Sequence, residues 1–208
     1  IFTATPFDLT SVDELNKLNV PFFKISSGDI NNFPLIKRII KKNKKIIFST
    51  GRSSYKEIKE TVSFLKKNNF KKYSMLHCVS IYPAKVESLN LNSIGFLKKK
   101  FKCEVGFSDH SKGIEAAIAA VALGANYIEK HITLNVNDVG PDHKASIEPF
   151  EFKKMVLSLR KIEKGLGKEK KIILEKEKHG RIKSRRSIYA SKDLYKNKLI
   201  EESDLVCR

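Results

Sequence analysis

Two short stretches carry most of the recognisable chemistry of this chain: Gly106-Phe107-Ser108-Asp109-His110 and Tyr127-Ile128-Glu129-Lys130-His131. Each closes an apolar run, and one helix-patterned segment, Gly113 to Gly124, separates them. The pattern is a strand–helix–strand unit with a histidine at the C-terminal end of both strands. Neighbouring parallel strands bring such ends together, and two imidazoles can then hold one divalent metal ion. Asp109 and Glu129 stand beside them as candidate orienting groups. With two nitrogen ligands, the remaining positions fall to water or substrate oxygens, which suits Lewis-acid chemistry. A second set is Thr5, Lys24, Ser27, Ser49 and Ser108. Hydroxyls and an ammonium, with backbone N–H groups around Gly28 and Gly51, make a cradle for phosphate or carboxylate. Singly each is an ordinary turn residue; the signal is their recurrence at strand ends. A third set, Asp29, Ser80, Tyr82 and Asp142, offers hydrogen bonds to a polyol, with Asp142 equally readable as a turn aspartate. His77 lies inside a strand pattern and reads first as a core or orienting histidine, and His143 and His179 as surface residues.

Such residues need a scaffold that gathers strand ends on one face. Strand patterns run over Ile1–Thr5, Pro21–Ile25, Lys45–Phe48, Tyr73–Cys78, Cys103–Phe107 and Asn126–Ile132. Helix patterns alternate with them: one capped by Thr10 or Ser11 with Val12, Leu15 and Leu18 on one face, then Phe33–Lys42, Ser54–Asn68, the later part of Leu89–Lys99, and Phe150–Lys164 with a stripe of Phe152, Met155, Val156 and Leu159. Short continuous apolar runs are the mark of parallel strands buried on both faces. Polar endings at every strand (Thr5, Ser27, Ser49, Ser80, Ser108, His131) favour an α/β fold of the TIM-type (β/α)8 barrel over an open doubly wound sheet, whose site occupies one switch point. The pattern shows six of the eight strands a closed barrel needs. The chain starts at Ile1, within a strand pattern and without Met. The expectation is a piece of a longer polypeptide without its first two βα units, with open sheet edges and no activity on its own. The domain layout reads as a partial barrel over 1–167, a basic linker over 168–186, and the beginning of a small second domain over 187–208, with β-like Ser187–Ala190 and Leu199–Val206.

The charge balance is +18, from 41 Lys and Arg against 23 Asp and Glu. Nucleic acid is one partner such a balance suits. The lysines are spread along the chain, however, without an aromatic-interleaved basic motif or zinc-finger spacing. The densest tract, Lys153 to Arg186, has 14 Lys or Arg against 4 Glu and reads as solvated. A positive field serves anionic small substrates equally well. No apolar run has the ~18–20 residues of a membrane span. Cys78, Cys103 and Cys207 are odd in number and unpaired by spacing, which points to a reducing, cytoplasmic setting.

Seven motifs in order resemble the N-acetylneuraminate (sialic acid) synthase family: Thr5-Pro6-Phe7, Lys24 to Ile36, Ser49-Thr50-Gly51, Leu76 to Pro83, Gly106 to His110, Glu129 to Thr133, and Gly140 to Ser146. The resemblance covers essentially the whole chain. It implies a βα-barrel followed by a small antifreeze-like (SAF) domain, of which only the start is present. It implies an enzyme that condenses phosphoenolpyruvate with an open-chain N-acetylated amino sugar and releases phosphate by C–O cleavage, a metal-dependent C–C bond-forming transferase of nonulosonic acid biosynthesis. In that family the positions of His110 and His131 bind a divalent metal, usually Mn2+, with Mg2+ an alternative. Thr5, Lys24, Ser27, Ser49 and Ser108 match positions that hold phosphoenolpyruvate. Ser80, Tyr82 and Asp142 match sugar-contacting positions, and Asp29 stands where the family generally has Glu. The antifreeze-like domain reaches across a homodimer there, to the partner's site. N-acetylmannosamine is the expected acceptor, giving N-acetylneuraminate; legionaminic- and pseudaminic-type acids are the alternative products. Two rivals are a basic nucleic-acid-binding module and a non-catalytic barrel remnant.

Overall fold

The computed structural model describes residues 1–208, which divide into two compact units, Ile1–Gly167 and Lys168–Arg208. In the first unit five strands form one parallel sheet: β1 (Phe22–Ile25), β2 (Lys45–Ser49), β3 (Tyr73–Cys78), β4 (Val105–Asp109) and β5 (Ile128–Lys130). Their order in the sheet is their order in the chain. An unreversed order is that of a barrel segment, since a doubly wound sheet reverses at its switch point. Helices α1 (Leu9–Lys17), α2 (Phe33–Ile40), α3 (Tyr55–Lys67), α4 (Ser93–Phe101), α5 (Glu115–Ala122) and α6 (Pro149–Leu166) alternate with the strands.

Local chemistry sets the helix boundaries. Asp8 caps α1 by accepting from the Ser11 N–H at 2.8 Å, so the cap lies upstream of the expected Thr10 or Ser11. Leu18 falls at the C-terminal cap and is exposed, leaving Val12 and Leu15 as the buried pair. Asn32 caps α2, with Pro34 in its first turn, where a missing N–H costs nothing. Ser54 and Glu57 cap α3 reciprocally. In α6, Met155 is buried with Phe152 and Leu159 packed around it, whereas Val156 is turned toward solvent.

Strand parity divides the side chains. Phe23, Ile25, Ile46, Phe48, Met75, Val105 and Phe107 face the helices and form the main core with Leu35, Ile36, Leu65 and Ile94. The alternate residues occupy the other face: Lys24, Ser49, Cys78, Ser108 and Glu129 toward the C-terminal ends, Ile47, Leu76 and Gly106 midway. Ladder partners are staggered, as in strands tilted around a barrel: Lys24 pairs with Ile47, yet its ammonium reaches Ser49, two residues on. Gly106 sits where a β-carbon would run into Leu76 and the Tyr127 backbone. At the N-terminal end of the same face, Glu104 accepts from Lys45 (2.6 Å), Tyr127 (2.6 Å) and Ser74 (3.0 Å).

The sheet has five strands rather than the six expected. Ile1–Thr5 makes no backbone ladder; its bond to the sheet is the Thr3 hydroxyl donating to the Phe22 carbonyl at 2.8 Å. In the second unit, α7 (Glu175–Ser184) is followed by β6 (Ile188–Ala190) and β7 (Leu205–Cys207), an antiparallel pair. The second β segment therefore begins at Leu205 and not at Leu199. Asp204 is fully buried just before it and accepts from Lys198 (2.6 Å) and the Glu201 N–H (3.1 Å), with Lys192 at 2.9 Å.

Candidate active site

A cleft of ≈ 530 Å3 opens at the C-terminal ends of the five strands. Thr5, Lys24, Ser27, Ser49, Ser80, Tyr82, Ser108, His110 and His131 all line it. A larger cleft, ≈ 1240 Å3, lies at the opposite ends around Lys45, Phe70, Lys72, Tyr73 and Glu104. It holds no histidine, and its one carboxylate is already taken up by Lys45, Tyr127 and Ser74. The smaller cleft is the one with chemistry.

Its cationic corner is built by parity and stagger. Lys24 donates to Ser49 Oγ at 2.8 Å and lies 3.2 Å from Glu129 Oε2. Ser108 donates to Glu129 Oε1 at 2.7 Å. Ser27 Oγ accepts from the Gly51 N–H at 3.0 Å and touches Cys78 Sγ at 3.2 Å. Gly51 has no room for a side chain, because a β-carbon there would strike Ser80 Oγ, Cys78 Sγ and Ser27 Oγ. One ammonium, three hydroxyls and a backbone N–H thus share one wall with the Glu129 carboxylate, which takes up Lys24 and Ser108 in this structure; the donors are of the kind that bind phosphate or carboxylate oxygens.

The two histidines stand beside this corner. Their ring centroids are 5.3 Å apart, and the Tyr82 ring lies 4.1 Å from His110 and 5.6 Å from His131. His110 Nδ1 bonds the Val79 carbonyl at 2.8 Å, so it carries the proton and Nε2 keeps the lone pair. Burial pushes the His110 pKa below its ordinary value, which keeps the ring neutral. His131 Nδ1 faces the Asp142 carboxylate at 3.7 Å. An imidazole with Nδ1 on a carbonyl or carboxylate and Nε2 free is the usual state of a metal-binding histidine. No third His, Cys, Asp or Glu joins the two histidines in an arrangement that could hold a metal ion. The residues fit an open site with two protein nitrogens and the remaining positions for water or substrate.

Not every expected residue reaches the cleft. The Asp29 carboxylate accepts from Ser26 (2.7 Å) and Asn32 (3.1 Å) within its own turn and does not line the wall. Asp142 approaches only through His131. Asp109 makes no bond to the His110 ring: it has the opposite parity, is fully buried on the helix side, and pairs with Lys130 at 2.9 Å. His77 likewise faces the helices, bonded to the Leu89 carbonyl at 2.7 Å and stacked on Phe107. His143 bonds Thr133 on the loop after β5, and His179 is exposed on α7. Glu129, expected only as an orienting group, lines the cleft itself, and so do Cys78 and Arg52, among others. Glu129 belongs to the anion corner itself, Cys78 to its floor, and Arg52 to its mouth. Parity could have found the first two, since Glu129 lies two residues before His131 and Cys78 two before Ser80. Arg52 follows a strand end in a left-handed backbone conformation (φ 58°) that no periodicity announces.

The model of the NeuB family matches residues 1–171. The chain is 46% identical over 209 residues to the N,N'-diacetyllegionaminic acid synthase of Campylobacter jejuni, covering 100% of this chain and 63% of that protein. It is 41% identical over 174 residues to the human N-acetylneuraminate-9-phosphate synthase, covering 83% of this chain and 48% of that one. The crystal structure of the N-acetylneuraminic acid (sialic acid) synthetase of Leptospira borgpetersenii, in complex with citrate, superposes with a TM-score of 0.80 at 38% identity, over 86% of this chain and 62% of that one. The chain thus spans less than two thirds of the length of these relatives.

Proposed function

The chain belongs to the NeuB family, and from that premise we propose that the protein it is part of condenses phosphoenolpyruvate with an open-chain N-acetylated amino sugar. A bond forms between the phosphoenolpyruvate methylene carbon and the sugar aldehyde carbon. Water adds at the former enol carbon, and phosphate leaves by C–O cleavage, giving a nonulosonic acid. The observation that carries this reading is a single cleft that joins the Lys24–Ser49–Ser108–Glu129 corner to the His110–His131 pair.

Lys24, Ser27, Ser49 and Ser108, with Thr5, bind the phosphate and carboxylate; their contribution is positioning and charge matching. Tyr82, its ring tilted by 35° against His110, and Ser80 meet the sugar, with Asp142 behind His131. His110 and His131 would hold a divalent ion, Mn2+ first and Mg2+ second, and the chemistry it supplies when bound is polarisation of the aldehyde oxygen. His110 contributes a neutral nitrogen, and the Val79 carbonyl fixes its ring. In this reading the whole protein is a homodimer whose barrel has eight strands and is followed by an antifreeze-like domain. No helix in the chain is long and apolar enough to cross a membrane, in keeping with a cytoplasmic enzyme.

The test is phosphate release by the whole protein from phosphoenolpyruvate and an amino sugar, with Mn2+ added. His110→Ala and His131→Ala are each expected to lower kcat by roughly 10²-fold or more, the scale of single electrostatic stabilisers. Wild-type rates in both variants would remove the metal from the mechanism. N-acetylmannosamine is the acceptor expected from the sequence. The identity to the C. jejuni relative, 46% across the whole chain, favours a second reading in which the acceptor is a diacetamido-trideoxy sugar. Direct competition between the two sugars, with the products separated, decides between them.

A further inference from the structure

Lys130 and Asp109 form an ion pair at 2.9 Å with both side chains wholly excluded from solvent, on the face of the sheet away from the cleft. The proposed mechanism does not use them, yet each immediately precedes one of the two histidines. Asp109 and Lys130 are also ladder partners, and theirs is the last pairing of β4 with β5. Beyond it, the backbones are drawn apart. The His110 carbonyl accepts from the Ala84 N–H at 2.9 Å, on the β3 side, whereas the His131 carbonyl accepts from the Ile147 N–H at 3.0 Å, on the other side. No backbone bond joins the two histidines, so their separation depends on the last cross-link before them.

That cross-link is braced. Asp109 Oδ1 accepts from the Ser111 N–H (2.8 Å) and hydroxyl (2.6 Å), and Lys130 Nζ also donates to the Ser111 carbonyl. His110 is therefore held from both sides in sequence, with Asp109 and Ser111 locked to the same ammonium. Stability alone does not call for this device, because a buried ion pair can often be replaced by well-packed apolar residues without loss. An apolar pair, however, lacks direction and does not fix the spacing of the strand ends.

We propose that the buried Asp109–Lys130 pair is a positioning device that sets the spacing of the His110 and His131 imidazoles, and with it the affinity of the site for a divalent cation. This rests on the metal reading above. The test titrates Mn2+ into the whole protein and follows free Mn2+ by its electron paramagnetic resonance signal. The double variant Asp109→Leu/Lys130→Met should fold but melt several degrees below wild type, because the buried Ser111 N–H and hydroxyl lose their acceptor. Its Mn2+ dissociation constant should rise at least tenfold, as when an orienting group behind a metal ligand is lost. The activating Mn2+ concentration should rise with it, while the KM for phosphoenolpyruvate stays at the wild-type value. Asp109→Asn/Lys130→Met, which leaves no buried charge and keeps an oxygen to accept from Ser111, carries the same expectation for Mn2+ affinity if the first double variant does not fold. A folded variant with Mn2+ affinity within about twofold of wild type would overturn the inference, since an orienting group is worth ~10-fold or more. Mn2+ binding by the wild type that is unchanged in His110→Ala and His131→Ala would instead overturn the metal reading, and this inference with it.

Discussion

At the scale of single residues, Glu129 separates binding from catalysis most sharply. Its carboxylate occupies Lys24 and Ser108, the groups a phosphate or carboxylate of the substrate would use. It is thus both a competitor for the cradle and a charge that repels an incoming anion. Glu129→Gln keeps the shape and removes the charge. The expected outcome is a KM for phosphoenolpyruvate that is unchanged or lowered a few-fold, the worth of ~1 kcal/mol between charges at this range in a wet site, with a lower kcat if the carboxylate also meets the acceptor. A raised KM with kcat intact would show Glu129 to be part of the cradle rather than its rival. Residue types and spacing made this corner readable in outline, because Lys24, Ser27, Ser49 and Ser108 recur at strand ends. They did not distinguish Asp109 from Glu129. Only strand parity does: Asp109 takes the helix side with Phe107, and Glu129 the cleft side with His131. Asp29 was not readable at all, since its partners, Ser26 and Asn32, are fixed by the local turn.

At the scale of elements, the loop after β2 and the N-terminal strand ends each yield a measurable consequence. Gly51 donates to Ser27 and has Ser80 Oγ and Cys78 Sγ where a β-carbon would stand. Gly51→Ala should cost about 1–3 kcal/mol by overpacking and raise the KM for phosphoenolpyruvate, because Ser27 must move aside. Thermal melts and KM together check this. At the other strand ends the Glu104 pKa is held at about 2, against an ordinary 4.5, by bonds from Lys45, Tyr127 and Ser74. A carboxylate whose folded pKa lies below its unfolded one stabilises above the unfolded value and loses that contribution as pH falls through the folded one. The contribution is therefore complete near pH 6 and fades between about pH 5 and pH 2. Water reaches about half of Glu104, so screening keeps the effect modest. Glu104→Gln should melt a few degrees lower than wild type at pH 7, and the difference should close by about pH 2; a constant difference would mean that the carboxylate charge is irrelevant. Most element positions were legible, because apolar periodicity reports burial. Ile1–Thr5 was not, since a β-branched apolar run predicts the capacity for a ladder but not its formation.

At the scale of the whole molecule, the question is what a net charge of +18 does. The two explanations place the charge differently. A nucleic-acid site concentrates it on one structured surface with shape or stacking of its own. The densest basic tract, Lys153 to Arg186, offers no such surface: in α7 every residue is exposed, and none is Phe, Tyr or Trp. Apart from Ile182 the helix carries no large apolar side chain, and a helix so nearly polar all round is solvated. Steering, by contrast, needs only a diffuse field and a cationic target, and the cleft has Lys24 at its wall and Arg52 at its mouth. Phosphoenolpyruvate is a multiply charged anion, so the two explanations predict different salt dependences. If the lysines steer, kcat/KM for phosphoenolpyruvate should fall several-fold as ionic strength rises from ~20 to ~200 mM, where the screening length shrinks to below ~10 Å. Over that range kcat should hold, since the bonded groups of the cleft lie within screening distance of one another. The acceptor sugar carries no charge, and its KM serves as the internal control. The same titration with labelled single- and double-stranded DNA should show no retarded band at ~50 mM salt, where a phosphate-binding protein would be strongly bound. A flat kcat/KM together with a salt-sensitive band would reverse the assignment and give the charge to nucleic acid.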